Sequence, residues 1–263
     1  MIQQVENPAL ELHNVTVTYS QKPVLWNIDY TLPAGKLVGV IGPNGSGKTT
    51  MIKSIMGLIA LNSGYVKIFN KNLSELRHRV SYVPQRGSVD WDFPASVLDI
   101  VLMGRLKTHN LFKRFSKEDK EIALECLKKV KMDHFIKRQI SELSGGQQQR
   151  VFLARSLAQE ADLYLMDEPF AGVDAATENA IIELLKEMRT QGKTILVVHH
   201  DLQTVREYFD WLLMLNTRLV ASGTTEQVFT PNFLYETYGG KLSILAQVGE
   251  LVKEKSHPLR EKF

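Results

Sequence analysis

Apolar and polar positions alternate over residues 10–35, which is the pattern of strands with one face in water. Shorter strand-like runs occur at residues 65–69 and at Val80–Val83, the second followed by a proline. Continuous apolar runs predict three more strands, at Leu37–Ile41, at residues 163–166 and at Thr194–Val198. The chain is therefore predicted to contain two kinds of strand, alternating near its start and continuously apolar further on.

Helical periodicity of the apolar positions begins at about residue 96 and continues to about residue 141. Within it, Ser116 precedes an acidic turn and then an apolar-periodic run to Val130, so this serine is predicted to cap a helix. Residues 180–188 carry apolar side chains on the same period. Helices and strands thus alternate along the chain.

This alternation predicts an α/β fold, with a mainly parallel sheet that carries helices on both faces. The alternating strands near the chain start predict an antiparallel β subdomain at its edge. We interpret residues 86–158 as a helical insertion, which interrupts a core made of residues 1–85 and 159–240. Residues 241–263 are charged and are expected to form a tail. The 263 residues are predicted to make a single domain.

The most informative motif directly follows the strand predicted at Leu37–Ile41. It fits the pattern G-x-x-x-x-G-K-[ST] and leads into a predicted helix; its residues are Gly42, Pro43, Asn44, Gly45, Ser46, Gly47, Lys48 and Thr49, followed by Thr50. In this context backbone N–H groups surround phosphate oxygens, and the helix N-terminus adds partial positive charge. Lys48 is expected to reach the β- and γ-phosphates, and the Thr49 hydroxyl to bind Mg²⁺. A glycine-rich turn without a ligand is the alternative.

Two acids, Asp167 and Glu168, follow the apolar run at residues 163–166. Ligands of open α/β sheets bind at the carboxyl ends of strands, so both acids are predicted to lie beside the phosphate loop, residues 42–49. Asp167 is the expected Mg²⁺ partner, directly or through water. Glu168 is then free to polarise a water for attack on the γ-phosphate, as a general base. An acidic helix start or turn is the alternative.

A third motif precedes another predicted helix, and it reads Leu143, Ser144, Gly145, Gly146 and Gln147. Its two glycines expose backbone N–H groups at a helix N-terminus, which makes a second anion site. Together with the phosphate loop, this pentapeptide resembles the signature motif of the ATP-binding cassette (ABC) family. The resemblance covers about residues 10–240 and includes the short motifs of that family. It implies MgATP as the ligand and ATP hydrolysis as the activity.

The resemblance also implies roles for single residues. Tyr19 matches the aromatic residue that stacks on adenine, although an aromatic residue packed in a sheet gives the same pattern. Gln85 matches the glutamine that contacts Mg²⁺ and links the core to the helical insertion. Asp174 matches the acid that ends the loop after the second motif, although residues 171–174 depart from the usual start of that loop.

His200 matches the family's histidine that contacts the γ-phosphate. The doubled histidine also suggests a metal site. Adjacent residues on a strand point to opposite faces, so His199 and His200 are not expected to share one ion.

In the ABC family two ATPase subunits pair head to tail. Each ATP lies between the phosphate loop of one subunit and the signature motif of the other. The resemblance therefore implies a homodimer, in which Ser144, Gly145 and Gly146 act on the nucleotide of a second copy of this chain.

Residues 86–94, 97–105 and 238–240 closely resemble the ATPase subunits of bacterial manganese and zinc uptake transporters. This resemblance implies an integral membrane permease as partner, an extracellular metal-binding lipoprotein that supplies it, and a place at the cytoplasmic face of the cell membrane. Trp91 and Phe93 are expected either in an exposed cleft that receives a permease helix or in ordinary core packing. The transported ion, whether manganese, zinc or iron, is not expected to touch this chain.

Composition narrows the function only slightly. A net charge of +3 gives no reason to expect a nucleic acid as partner. The single cysteine, Cys126, excludes an intrachain disulfide, and its apolar neighbours at helical spacing predict a packed thiol. No apolar run approaches the roughly 18 residues of a spanning helix. The polar chain start, residues 1–6, lacks the features of a signal peptide.

Three other classes of function stay open. A soluble cassette ATPase of DNA repair or chromosome maintenance usually carries coiled coils or zinc modules, and the sequence shows neither heptads nor a cysteine pair. A soluble cassette ATPase without a permease, such as a scaffold for iron–sulfur cluster assembly, is the second. An importer of iron or of a metal chelate is the third. The signature motif argues against a small-molecule kinase that shares only the phosphate loop.

Overall fold

The computed structural model describes Val5 and residues 7–106 and 115–239. Its strands are β1 (Pro8–Tyr19), β2 (Lys22–Pro33), β3 (Leu37–Ile41), β4 (Ser63–Ile68), β5 (Val80–Val83), β6 (Leu163–Asp167), β7 (Thr194–Val198), β8 (Trp211–Asn216) and β9 (Arg218–Thr224). Its α-helices are α1 (Lys48–Ile55), α2 (Leu73–Leu76), α3 (Val97–Leu102), α4 (Lys117–Lys129), α5 (Gly145–Ala158), α6 (Ala175–Thr190), α7 (Val205–Tyr208), α8 (Thr225–Val228) and α9 (Pro231–Tyr238). Most of the polar chain start, Gly240 and the tail at residues 241–263 lie outside the described residues.

The strands form two sheets. The first is antiparallel, with the order β2-β1-β4. The second has six strands in the order β5-β6-β7-β3-β8-β9, in which only β9 runs antiparallel to its neighbour. The predicted α/β class, with a mainly parallel sheet and an antiparallel β part, is confirmed.

Two hydrophobic cores lie on opposite faces of the six-stranded sheet, because successive side chains of a strand point to opposite sides. Leu163 and Leu165 of β6 pack with α1 and the antiparallel sheet. Tyr164 and Met166 face the other way and pack with α3, α4, α5 and α6. Because β3, β6 and β7 are buried at every position, their sequences are almost continuously apolar. Asp167, at the end of β6, is two residues beyond Leu165, so its side chain lies on the same face of the sheet, the one that α1 covers.

Helices α3, α4 and α5 all fall within residues 86–158, and they pack on one another. The backbone N–H of Asp119 donates to the Ser116 hydroxyl at 3.0 Å, so Ser116 caps α4 as expected. Short 3₁₀ turns join the helices, for example at Ile140–Glu142. The division of the chain at residues 85 and 159 stays a prediction.

The fold contains elements that the sequence patterns do not predict. Strands β8 and β9 are absent from those expectations, because a six-residue apolar run cannot be assigned to a strand or a buried helix by periodicity alone. Helix α6 begins at Ala175, five residues before its predicted apolar period. Asp174 caps it by accepting a hydrogen bond from the Thr177 N–H at 2.9 Å, and its first turn faces solvent.

Within the described part of the chain, no helix combines the length and the apolarity needed to cross a bilayer. Cys126 is buried on α4 and forms no disulfide, as its packed-thiol prediction requires. Burial raises the pKa of this thiol to about 11, so it stays protonated and unreactive near neutral pH.

Candidate active site

The phosphate loop connects the buried strand β3 to helix α1. Gly47 is the N-cap of α1 with φ of 99°, and a Cβ there would lie 2.6 Å from the Val24 carbonyl oxygen. A Cβ at Gly42 would lie 2.0 Å from the Leu215 carbonyl oxygen. Both positions therefore require glycine. No side chain caps α1 and no acid lies in its first turn, so its N–H groups are available to an anion.

Lys48 folds back onto the loop that carries it. Its Nζ donates to the carbonyl oxygens of Gly42 at 2.8 Å and Pro43 at 2.9 Å. Burial lowers the pKa of this amine, while the charges of Glu168 and Asp167 oppose that shift. The ammonium is thus held in the loop by neutral acceptors that phosphate oxygens can replace.

Asp167 lies at the carboxyl end of β6 and is fully buried. Its Oδ1 accepts a hydrogen bond from the Thr49 hydroxyl at 3.1 Å. Its Oδ2 is also buried and has no partner among the described residues. Burial raises the pKa of Asp167, and the hydrogen bond from Thr49 counteracts this. The structure therefore brings together the two Mg²⁺ ligands predicted from the first two motifs.

Glu168 follows β6 in a left-handed conformation, with φ of 53°. A non-glycine residue adopts this conformation at some cost, and it turns the side chain away from the line of the strand. The Gln85 side-chain N–H donates to its Oε2 at 3.0 Å. Gln85 itself follows β5 and begins a 3₁₀ turn. The predicted base and the predicted linking glutamine are thus in direct contact.

A cavity of about 380 Å³ opens at this place, and it is lined by residues 44–50, Val24, Gln85 and Glu168. Val24 of β2 belongs to none of the motifs. Val24 reaches the site because β2 lies against Gly47. Its place in the cavity depends on this tertiary contact and could not be predicted from the sequence.

Other predicted site residues do not line that cavity. Tyr19 lies exposed at the end of β1, where it pairs with Lys22. Asp174 is engaged as the cap of α6, and hydrogen bonds from Thr177 lower its pKa. The adenine contact of Tyr19 and the nucleotide contact of Asp174 stay predictions.

The signature motif forms the N-terminus of α5. Ser144 caps this helix, and its backbone N–H donates to the Gln147 side chain at 2.9 Å in a reciprocal capping box. Gly145 lies against the Arg86 guanidinium, where a Cβ would be 2.5 Å from Arg86 Cζ. None of the four residues Ser144 to Gln147 lines the cavity at the phosphate loop.

The two histidines lie after β7 and not within it, so the expectation that both sit on a strand is wrong. His199 is buried, and its Nε2 is 2.8 Å from the Thr204 hydroxyl. Burial and the neighbouring His200 lower the pKa of His199 to about 4. His200 is exposed, with its ring centroid 6.0 Å from that of His199. The described residues contain no group of three or more His, Cys, Asp or Glu side chains that could hold a metal ion.

Trp91 and Phe93 have different environments. The Trp91 ring packs edge-on against Phe152 at 4.9 Å between centroids, and its indole N–H donates to the Arg86 carbonyl oxygen at 2.9 Å. Phe93 is half exposed. Ordinary core packing thus accounts for Trp91, and Phe93 alone is left available to a partner.

Known proteins are similar to this chain over much of its length. The sequence model of the ABC transporter family matches residues 25–171. The chain is 60% identical over 236 residues to the manganese transport system ATP-binding protein MntB of Bacillus subtilis (strain 168), with 90% of this chain and 94% of that protein covered. It is 55% identical over 235 residues to the zinc transport system ATP-binding protein TroB of Treponema pallidum (strain Nichols), with 89% and 88% covered.

The fold is also similar to those of solved ATP-binding cassettes. A dimeric ATP-binding cassette in a post-hydrolysis state, bound to ADP and phosphate, matches with a TM-score of 0.73 at 30% identity, covering 82% of this chain and 98% of that one. The fold is therefore shared with a nucleotide-binding cassette. This chain belongs to the ABC transporter family and is one of its ATP-hydrolysing subunits.

Proposed function

We propose that this chain hydrolyses ATP to energise an importer of divalent metal ions, with manganese or zinc as cargo. The observation that carries the proposal is the high identity, over nearly the whole chain, to ATP-binding proteins named for manganese and zinc transport. The two identities are similar, so they do not choose between the ions. Iron or a metal chelate as cargo, and an ATPase without a permease, are the alternatives.

The geometry supports a defined role for each residue in hydrolysis. The uncapped N–H groups at the start of α1 receive the phosphates. Lys48 exchanges the carbonyls of Gly42 and Pro43 for β- and γ-phosphate oxygens, which a cation binds more strongly than neutral acceptors. Glu168 takes the proton of the attacking water, and Gln85 orients its carboxylate. His200 is proposed to contact the γ-phosphate.

The residues at this site also fit Mg²⁺. Thr49 and Asp167 supply the oxygen ligands that Mg²⁺ prefers, and Gln85 can add an amide oxygen. The buried, unpartnered Oδ2 of Asp167 indicates a carboxylate whose charge is balanced only when a cation or donor is present. When bound, the ion neutralises negative charge on the β- and γ-phosphate oxygens.

A second copy of the chain is the proposed partner of the signature motif. The N-terminus of α5 does not line the cavity at the chain's own phosphate loop, and this supports a role on the nucleotide of a second copy. A head-to-tail dimer, as in the dimeric relative, would put Ser144, Gly145 and Gly146 on the γ-phosphate bound by the partner. ATP then closes the dimer and hydrolysis opens it.

A membrane permease is the proposed second partner, and it would hold the subunit at the cytoplasmic face of the membrane. A cleft of about 830 Å³ separates the α2 region from the end of α3, and four arginines are among the residues that line it: Arg77, Arg79, Arg105 and Arg155. Acids line this cleft as well, and Arg79 and Arg105 already pair with acids of this chain, so it is the concave shape and not a free positive charge that suits a short permease helix. A metal-binding lipoprotein would deliver the ion from outside.

The test is metal uptake by cells whose own copy carries Glu168→Gln. Selective loss of manganese or zinc uptake is expected, because the variant binds ATP but lacks the base. Glu183→Gln is the matched control, since Glu183 is an exposed acid of α6 that pairs with Lys186. Unchanged uptake of manganese, zinc and iron in the Glu168→Gln cells would refute the importer proposal.

The same variant tests the dimer. Purified Glu168→Gln protein should form a dimer with ATP on gel filtration, because ATP stays uncleaved between the subunits. Monomer alone at saturating ATP would count against the head-to-tail arrangement.

A further inference from the structure

Tyr82 lies on β5, at an edge of the six-stranded sheet, and nothing above gives it a role. The strand register pairs Tyr82 with Leu165 of β6. Because side chains alternate along both strands, Tyr82 shares a sheet face with Leu165 and with Asp167, two residues further on. Asp167 is thus its diagonal neighbour across this parallel pair of strands.

The hydroxyl of Tyr82 and Oδ2 of Asp167 are both buried on this face, and neither has a partner among the described residues. The first can donate a hydrogen bond and the second can only accept one when the acid is ionised. A buried donor and a buried acceptor that both lack hydrogen bonds are energetically unfavourable. A hydrogen-bonded connection between the Tyr82 hydroxyl and Asp167 Oδ2 would remove this cost.

The negative charge of Asp167 affects the pKa of Tyr82. Burial is the main reason that the pKa of Tyr82 rises to about 12, and the Asp167 carboxylate adds to the rise. A phenol with this pKa stays protonated near neutral pH and remains a donor. Oδ1, the other carboxylate oxygen, already accepts from the Thr49 hydroxyl at 3.1 Å. The aspartate thus has one oxygen held by Thr49, while its other oxygen is unpartnered on the sheet face that Tyr82 shares.

We propose that Tyr82 is a positioning residue of the Mg²⁺ site, whose hydroxyl donates through one bridging water to Oδ2 of Asp167. The contact stops the carboxylate from rotating and keeps Oδ1 next to Thr49, where the ion binds. The inference rests on the proposed function, since it takes Thr49 and Asp167 as the ligands. Groups that orient a metal-binding carboxylate in this way act on metal affinity and not on nucleotide affinity.

The experiment compares Tyr82→Phe with the wild type, because phenylalanine keeps the ring and removes only the hydroxyl. Mn²⁺ replaces Mg²⁺ as the probe, and the free ion is titrated by electron paramagnetic resonance in the presence of ADP. We expect Mn²⁺ affinity to fall about tenfold, the lower end for loss of such an orienting group. ADP binding in EDTA, without metal, should be unchanged.

Tyr30→Phe is the matched control. Tyr30 of β2 also has a buried hydroxyl without a partner among the described residues, in the same hydrophobic core, but burial and Trp211 are what act on it and no carboxylate does. Its loss should leave Mn²⁺ affinity at the wild-type value.

Three results would overturn the role of Tyr82. These are an unchanged Mn²⁺ affinity in Tyr82→Phe, an equal fall in Tyr30→Phe, and a fall in metal-free ADP binding that matches the fall for Mn²⁺. If the wild type itself bound no Mn²⁺ with ADP, the metal site of the proposed function would fail first and the role of Tyr82 with it.

Discussion

Two helix N-termini of this molecule look alike in sequence and differ in structure. Helix α1 follows Gly47 and helix α5 follows Ser144, so a small residue directly precedes the first N–H groups of each helix. The α1 terminus has no side-chain cap and opens into a cavity that also contains Lys48 and Glu168. The α5 terminus is closed by Ser144 and Gln147 and lines no part of that cavity.

The difference shows why one terminus can bind a phosphate by itself and the other cannot. At α1 the helix dipole acts together with the buried ammonium of Lys48. At α5 the capping box already uses two of the available hydrogen bonds, so a ligand must arrive with other contacts. In the proposed dimer, a nucleotide held by a second copy would provide these contacts. Lys48→Ala and Ser144→Glu, alone and mixed, test this difference between the two termini, and Asp167→Asn, with the smallest expected effect, tests the buried acid beside α1.

Lys48→Ala should remove the function of the α1 terminus. ATP hydrolysis is expected to fall about 10³-fold, because a charged donor to the transferred phosphate is lost. The measurement is steady-state phosphate release, with Lys53→Ala as the control because it replaces another lysine of α1. An unchanged rate in Lys48→Ala would contradict the site assignment.

Ser144→Glu should damage only the shared site. A carboxylate at the α5 terminus repels the partner's γ-phosphate, so hydrolysis is expected to fall about 10²-fold, by the cost of juxtaposed like charges. ATP binding by the single chain, followed by isothermal calorimetry, should not change.

Mixing the two inactive variants sharpens this comparison. A mixed dimer of Lys48→Ala and Ser144→Glu contains one complete site, built from the intact loop of one chain and the intact signature motif of the other. Phosphate release should therefore exceed the sum of the separate variants. Release equal to that sum would show that both termini serve the same chain's nucleotide.

Asp167→Asn should raise the stability of the nucleotide-free protein. Because burial raises the pKa of Asp167 in the folded state, the stability that this group contributes falls as pH rises through that pKa and is lost near neutral pH. The neutral amide avoids this loss, with a gain on the order of 1 kcal/mol. The measurement is Tm without nucleotide at pH 7.5.

Measuring the gain in Tm of Asp167→Asn at several pH values checks this explanation. The gain in Tm should vanish in acid, below roughly pH 4, where the aspartate is protonated in both states. Asp174→Asn is the control, because hydrogen bonds lower the pKa of that exposed cap, and its replacement should bring no gain at pH 7.5. A lower Tm in Asp167→Asn at neutral pH would show that the carboxylate stabilises the empty site.

Much of the site could be predicted because its residues are adjacent in sequence or follow a strand. The loop at residues 42–49 must be local, since successive N–H groups have to surround one phosphate. Asp167 and Glu168 could be placed because the carboxyl ends of parallel strands meet at one edge of a sheet. The contact between Gln85 and Glu168 joins two strand ends that are neighbours only in the order β5-β6.

The sequence by itself determined the family, the phosphate loop, the acids and the signature motif, because each is a short pattern whose chemistry depends on adjacent residues. Only the tertiary structure decided that Val24 lines the cavity, that Trp91 packs in the core and that His199 is buried while His200 is exposed. It also decided that Tyr82 and Asp167 share a buried face. These properties arise from strand order, register and helix packing, which bring together residues that no local pattern connects.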